Sequence, residues 1–191
     1  MKHLLLALML LLSVSVKGIG ITHGPWICDM DSTSVTIVWV TDKPGLSWVE
    51  LAPEGSDHFY GKARTRHYDI FEGRKVLTDS VHKVHIEGLK PNTKYRYRVF
   101  TQEVAEWRYD DWVTFGKVAC TDVWRGKPYD FTTFPAHPRE ITFLVLNDIH
   151  ERAQFMKDLC KNIDFNKLDF VLLNGDMSNR LRSQQHMMEA Y

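Results

Sequence analysis

The sequence predicts two fold classes joined end to end. An all-β sandwich spans residues 21–135, and after a linker at 136–140 the first β-α-β unit of an α/β domain spans 141–191. Short β-branched runs separated by turn residues recur from Ile21 to Phe134. Further on, two nearly continuous apolar runs flank a segment of helical spacing, and each run ends in a cluster of Asn, Asp and Gly.

Residues 1–20 stand apart from both. Lys2 and His3 precede an apolar run from Leu4 to Leu12 that passes into Ser13-Val14-Ser15. A basic start, a short apolar stretch and small residues describe a secretory signal peptide, so a secreted, periplasmic or otherwise extracytoplasmic protein is expected. The run is too short to span a bilayer, and no stable membrane insertion is expected. Lys and Arg number 24, and Asp and Glu also 24, so no net charge draws the chain to nucleic acid or an anionic membrane. No nucleic-acid partner is expected. Cys28, Cys120 and Cys160 cannot all pair within one chain, and buried thiols are the expected state.

Within the sandwich, Ser34–Val40 is a β-branched run with Trp39 near its end, and Ser47–Leu51 follows the turn signal Lys43-Pro44-Gly45. Val81–Ile86 alternates, with Val84 and Ile86 on one face and Lys83 and His85 on the other. Leu89, Pro91, Tyr95, Tyr97 and Val99 follow as a turn leading into an alternating strand. This stretch resembles the tyrosine corner of fibronectin type III and related Ig-like sandwiches, in which a tyrosine hydroxyl bonds back to the backbone. Such a sandwich has about seven strands. Trp107, Tyr109 and Trp112 lie with Asp110 and Asp111 before the last strand and are expected to pack against a neighbour, as aromatics usually do. Tyr129–Phe134 closes the sandwich. His23, His58, His67, His82, His85 and His137 are expected at the surface or in local hydrogen bonds.

Beyond the linker, Ile141–Leu146 has the pattern of a strand buried on both faces and ends in Asn147-Asp148-Ile149-His150. Arg152 to Ile163 has helical spacing. Leu168–Leu173 is a second buried run and ends in Asn174-Gly175-Asp176-Met177-Ser178-Asn179. Strand, helix and strand imply a right-handed crossover with parallel strands, and ligands gather beyond the carboxyl ends of such strands. In extended chain, residues two apart point the same way, so Asp148 and His150 would face one metal ion. Parallel neighbours lie about 4.8 Å apart, which brings Asp176 within reach of that ion and of a second beside it. Gly175 would let the backbone turn sharply.

Leu-Asn-Asp148-Ile-His150 with Asn-Gly175-Asp176-Met-Ser-Asn179 resembles the first two motifs of the calcineurin-like metallophosphoesterases. A preceding sandwich is similar to the arrangement in purple acid phosphatases and related secreted enzymes. The resemblance implies hydrolysis of phosphate mono- or diesters by a metal-activated water. It also implies two transition-metal ions (Fe, Mn or Zn), with Asp148 and His150 on the first and Asp176 bridging both. Asn179 stands where purple acid phosphatases carry a tyrosine, and His150 where they carry a glycine. No coloured tyrosinate centre is therefore expected. The later Gly-Asn-His and Gly-His-x-His motifs of that family do not occur before Tyr191, and His186 lacks the Gly-Asn context. By this likeness the chain is an N-terminal fragment, inactive alone, and no catalytic residue is assigned within it. Two other readings stand beside this one: a non-catalytic remnant, and a sandwich that binds a carbohydrate or a protein. Residues 141–191 are expected to be a marginal folding unit whose strands expose apolar faces.

Overall fold

A computed structural model describes residues 18–109, 112–137 and 140–190. The signal-peptide expectation falls almost wholly outside these residues, as do Asp110, Asp111 and part of the linker. Contacts divide the chain into two compact units, with the break between Pro135 and Ala136.

In the first unit, β1 (Ile21–Cys28), β2 (Val35–Thr41) and β7 (Val81–Ile86) form an antiparallel sheet in the order β1-β2-β7. The second sheet runs β10-β8-β3-β4, with β9 also on β8; these are β3 (Gly45–Pro53), β4 (Thr65–Tyr68), β8 (Lys94–Arg108), β9 (Trp112–Cys120) and β10 (Tyr129–Thr132). A small hairpin of β5 (Ile70–Phe71) and β6 (Arg74–Lys75) lies between β4 and β7 in the chain. Its two-residue loop, Glu72-Gly73, has φ of 48° and 76°, the left-handed pair that a tight hairpin turn requires.

Among the described residues the two sheets of the sandwich have eight strands rather than about seven, because the closing edge is split. β10 pairs with residues 94–97 of β8, and β9 pairs with residues 100–108. Alternation fills the core: Val35, Ile37 and Trp39 of β2, Val84 and Ile86 of β7, and Val49, Tyr97, Val99 and Phe131 of the facing sheet form one buried cluster. Across it, the Trp39 Nε1–H donates to Thr101 Oγ1 at 2.9 Å, and Thr101 shares a 2.8 Å hydrogen bond with Ser47 Oγ. The tyrosine corner is present, with the Lys90 N–H donating to the Tyr95 hydroxyl at 2.9 Å.

Three expectations need correction. His82 is fully buried, on the same face as Val84 and Ile86. Thr41 Oγ1 gives its own hydrogen to Lys43 O at 2.6 Å, so at its 2.7 Å contact with His82 Nε2 the ring nitrogen is the donor. His82 Nδ1 is left buried with no partner among the described residues. The thiols of Cys28 and Cys120 are exposed, since both cysteines occupy outward positions near strand ends. Trp107, Tyr109 and Trp112 are likewise exposed. β3 leaves β8 at the Gly45–Glu103 pair, and from there β8 and β9 continue as a ribbon with no third strand beside it among the described residues.

The second unit has β11 (Phe143–Leu146), α1 (Ala153–Cys160), β12 (Phe170–Leu173) and α2 (Gln184–Ala190). β11 and β12 are parallel, in register Phe143↔Phe170 to Leu146↔Leu173. The burial on both faces implied by the two apolar runs is not supplied by the described residues. Phe143, Val145 and all four residues of β12 are exposed, as are Phe155 and Leu159 of α1. Among the described residues, no helix is long and apolar enough to cross a membrane.

Candidate metal centre

The loops after β11 and β12 are stitched together by backbone hydrogen bonds that prolong the parallel ladder. Asn174 N donates to Leu146 O at 2.8 Å, Asp148 N to Gly175 O at 3.3 Å, His150 N to Asp176 O at 3.0 Å and Glu151 N to Met177 O at 2.8 Å. Ile149 and Met177 are buried beneath. Each lies next in sequence to a candidate ligand, so anchoring them inward leaves Asp148, His150 and Asp176 to the outside.

The backbone here is not the extended chain that the sequence suggests. Asp148 (φ 61°), His150 (φ 52°), Glu151 (φ 62°) and Asp176 (φ 50°) are all left-handed, and Gly175 has φ 92°. Each left-handed non-glycine residue costs roughly 1–2 kcal/mol, and strain of this kind gathers at functional sites. Asp148 and His150 therefore meet through a coiled loop and not through strand alternation. His150 Nε2 lies 2.5 Å from Asp148 Oδ1. Arg152 clasps the same loop, donating from Nε to Ile149 O at 3.0 Å and from Nη2 to Asp148 O at 2.8 Å.

Carboxylate beside imidazole is a donor pair suited to Fe, Mn or Zn, and His150 Nδ1 is buried without a partner. On chemistry the pair fits a metal ion. Asp176 is bonded alongside through its backbone, but among the described residues no three His, Cys, Asp or Glu side chains converge as a metal cluster. The structure thus brings Asp148 and His150 together and leaves Asp176 outside their contact.

Glu151 was not singled out by the sequence. Its carboxylate accepts from the Ser178 hydroxyl and from Asn179 N at 3.3 Å, and it pairs with His186 Nε2 at 3.3 Å. The Ser178 hydrogen bond, followed by the charges of His186 and Arg182 and the Asn179 N–H, holds Glu151 below its ordinary pKa. His186 is on a helix as expected, yet it touches this loop. An acid directly following the Asp-x-His triplet was the available signal.

Residues 26–116 match the family described as the purple acid phosphatase N-terminal domain. The match lies within the sandwich, which is thus similar to a purple acid phosphatase N-terminal domain. Among solved structures, a purple acid phosphatase from yellow lupin (Lupinus luteus) seeds aligns at 15% identity and TM-score 0.43, over 83% of this chain and 29% of that one. A computationally redesigned β-sandwich protein aligns at 14% identity and TM-score 0.36, over 62% of this chain and 97% of that one. No curated protein matches the sequence.

Proposed function

We propose that this chain belongs to an extracytoplasmic metal-dependent phosphoesterase that hydrolyses phosphate mono- or diesters, with the metal held after β11 and β12. The observation that carries the reading is the run of left-handed residues Asp148, His150, Glu151 and Asp176 at the carboxyl ends of two parallel strands. Backbone of this kind gathers at functional sites, and three of these four residues are candidate ligands. The purple acid phosphatase-related sandwich ahead of it supports the same reaction class. The apolar run Leu4–Leu12 supports the location.

Asp148 and His150 would hold the first of two Fe, Mn or Zn ions, and Asp176 would add a further donor. Such ions, when bound, polarise a phosphoryl oxygen and make water acidic enough to attack near neutral pH. Arg152 fixes the loop that carries the first two donors. Glu151, held anionic by Ser178 and His186, adds negative charge beside them that favours cation binding.

Metal titration of the chain tests this reading directly. Mn2+ or Zn2+ is expected to bind, and Asp148→Asn and His150→Ala each to weaken binding by at least about tenfold. Equal affinity in the wild type and both variants would sink the proposal.

A further inference from the structure

The outer face of the sheet formed by β4, β3 and β8 carries a second arrangement of charge, unrelated to the acidic loops. Register sets its rows. Arg66, Glu50 and Arg98 are cross-strand partners in one row, and Tyr68, Trp48 and Phe100 in the next. Alternation places both rows on the face opposite Val49 and Val99, which point into the core. Arg66 lies 4.8 Å over the Trp48 ring and Arg98 lies 4.7 Å over the Phe100 ring, and the two rings stack at 5.1 Å.

The loop between β3 and β4 stands beside this face. Asp57 there accepts from Arg64 and Arg96 at 2.6 Å each, and Lys62 Nζ lies 3.8 Å away. Arg96 and Arg64 hold the Asp57 carboxyl well below the usual carboxylate range. A cavity of about 470 Å³ remains between loop and sheet, lined by the carboxylate of Glu50 as well as by Tyr60, Lys62, Arg64, Arg66, Arg98 and Phe100. At its rim Tyr60 stacks on Trp124 with ring centroids 4.2 Å apart, and Trp124 is 75% exposed.

The charges of this network do not balance. Lys62, Arg64 and Arg96 pair with Asp57 and Arg66 pairs with Glu50, whereas Arg98 pairs with neither. Glu50 is committed to Arg66, at 3.5 Å. Arg98 is only 8% exposed, and its bonds go to Thr121 O and Cys120 Sγ, both at 3.2 Å. Among the described residues it has no carboxylate in an ion pair. A buried guanidinium without a counter-ion is costly, and an anion entering the cavity would relieve that cost.

We propose that this cavity binds the phosphate or sulfate group of a small anionic sugar, a monoester of a ring-bearing alcohol. Arg98 is its buried counter-ion, Lys62 and Arg66 stand at its edge, and the Tyr60–Trp124 pair faces the ring. Arginine suits such a group because its planar fork matches two oxyanion oxygens at once. The proposal does not depend on the metal reading, because none of these residues belongs to the second unit.

Calorimetric titration of the full chain in low salt with EDTA tests it, using glucose 6-phosphate, glucose 6-sulfate, inorganic phosphate and glucose as probes. The two esters are expected to bind, inorganic phosphate to bind more weakly, and glucose not at all. The double variant Lys62→Gln/Arg66→Gln alters exposed side chains and should stay folded by circular dichroism. It is expected to weaken ester binding by at least about tenfold. Arg98→Gln is expected to abolish binding if it folds. Unchanged affinity in the folded double variant overturns the proposal, as does absence of binding by both esters. Equal affinity for inorganic phosphate and the esters overturns the assignment of a ring-bearing ligand.

Discussion

In the sandwich, Val35, Ile37, Trp39, Val49, Val84 and Val99 are fully buried, whereas in the second unit Phe170, Val171, Leu172 and Leu173 remain 37–45% exposed. The same kinds of residue and equally regular strand pairing thus serve two different conditions. Backbone ladders form in both units. Among the described residues the sandwich alone adds a second layer that covers its strands' apolar side chains, and removal of such side chains from water supplies most of the free energy of folding. The contrast separates having a fold from being held in it.

Hydrogen exchange should give the largest measure of this difference. Amides of Val35–Thr41 are expected to exchange at least about a thousandfold more slowly than those of Phe170–Leu173, because buried core strands open only with the whole unit. Comparable protection in the two strands would break the comparison. Truncation comes next. Trp39→Ala should cost about 3–5 kcal/mol, since it empties a buried site and removes one of the two hydrogen bonds of Thr101, whereas Val171→Ala should cost less than about 1 kcal/mol. Urea unfolding followed by tryptophan fluorescence and far-ultraviolet dichroism would check both, and a large effect at Val171 would mean that β12 is covered.

Acid should also divide the units, by a somewhat smaller amount. Burial pushes the His82 pKa down to about 4, against the pull of Asp79. Below the unfolded value of about 6.5, the unfolded chain takes up a proton that the folded sandwich refuses, because Nδ1 has no acceptor. Stability therefore falls as pH drops from about 6.5 to 4, by about 3 kcal/mol in total from this group. His82→Phe should remove that slope from the unfolding free energy of the sandwich. A slope unchanged by the substitution would mean that His82 is protonated in place.

Much of the sandwich was legible because its signals are local. Alternation in Val81–Ile86 gives the core face directly, and Leu89-x-Pro91 before Tyr95 gives the corner. The same alternation implies an inward His82, on the face of Val84 and Ile86. The split closing edge was not legible, because nothing local to β9 or β10 states that both share β8. At the candidate centre, the sequence named the residues and the strand ends but not the conformation. Left-handed φ at Asp148 and His150 depends on cross-loop bonds to Gly175 and Asp176 and on the burial of Ile149 and Met177. The Arg98 cavity was invisible for a related reason. Its rows are assembled from three strands separated by long stretches of chain.

Strand β8 pairs with β3 on one side and with β9 and β10 on the other, so the larger sheet is built around it. β3 ends at Pro53 and β8 at Arg108. A ribosome adding about 5–20 residues per second delivers β8 several seconds after β3. Throughout that interval the nascent β3 carries a bare edge with Trp48 and Val49 beside it. The fold is thus ordered in time as well as in space: its central strand arrives late, and a chaperone that shields β3 in the meantime would act where the growing chain is most open to mispairing.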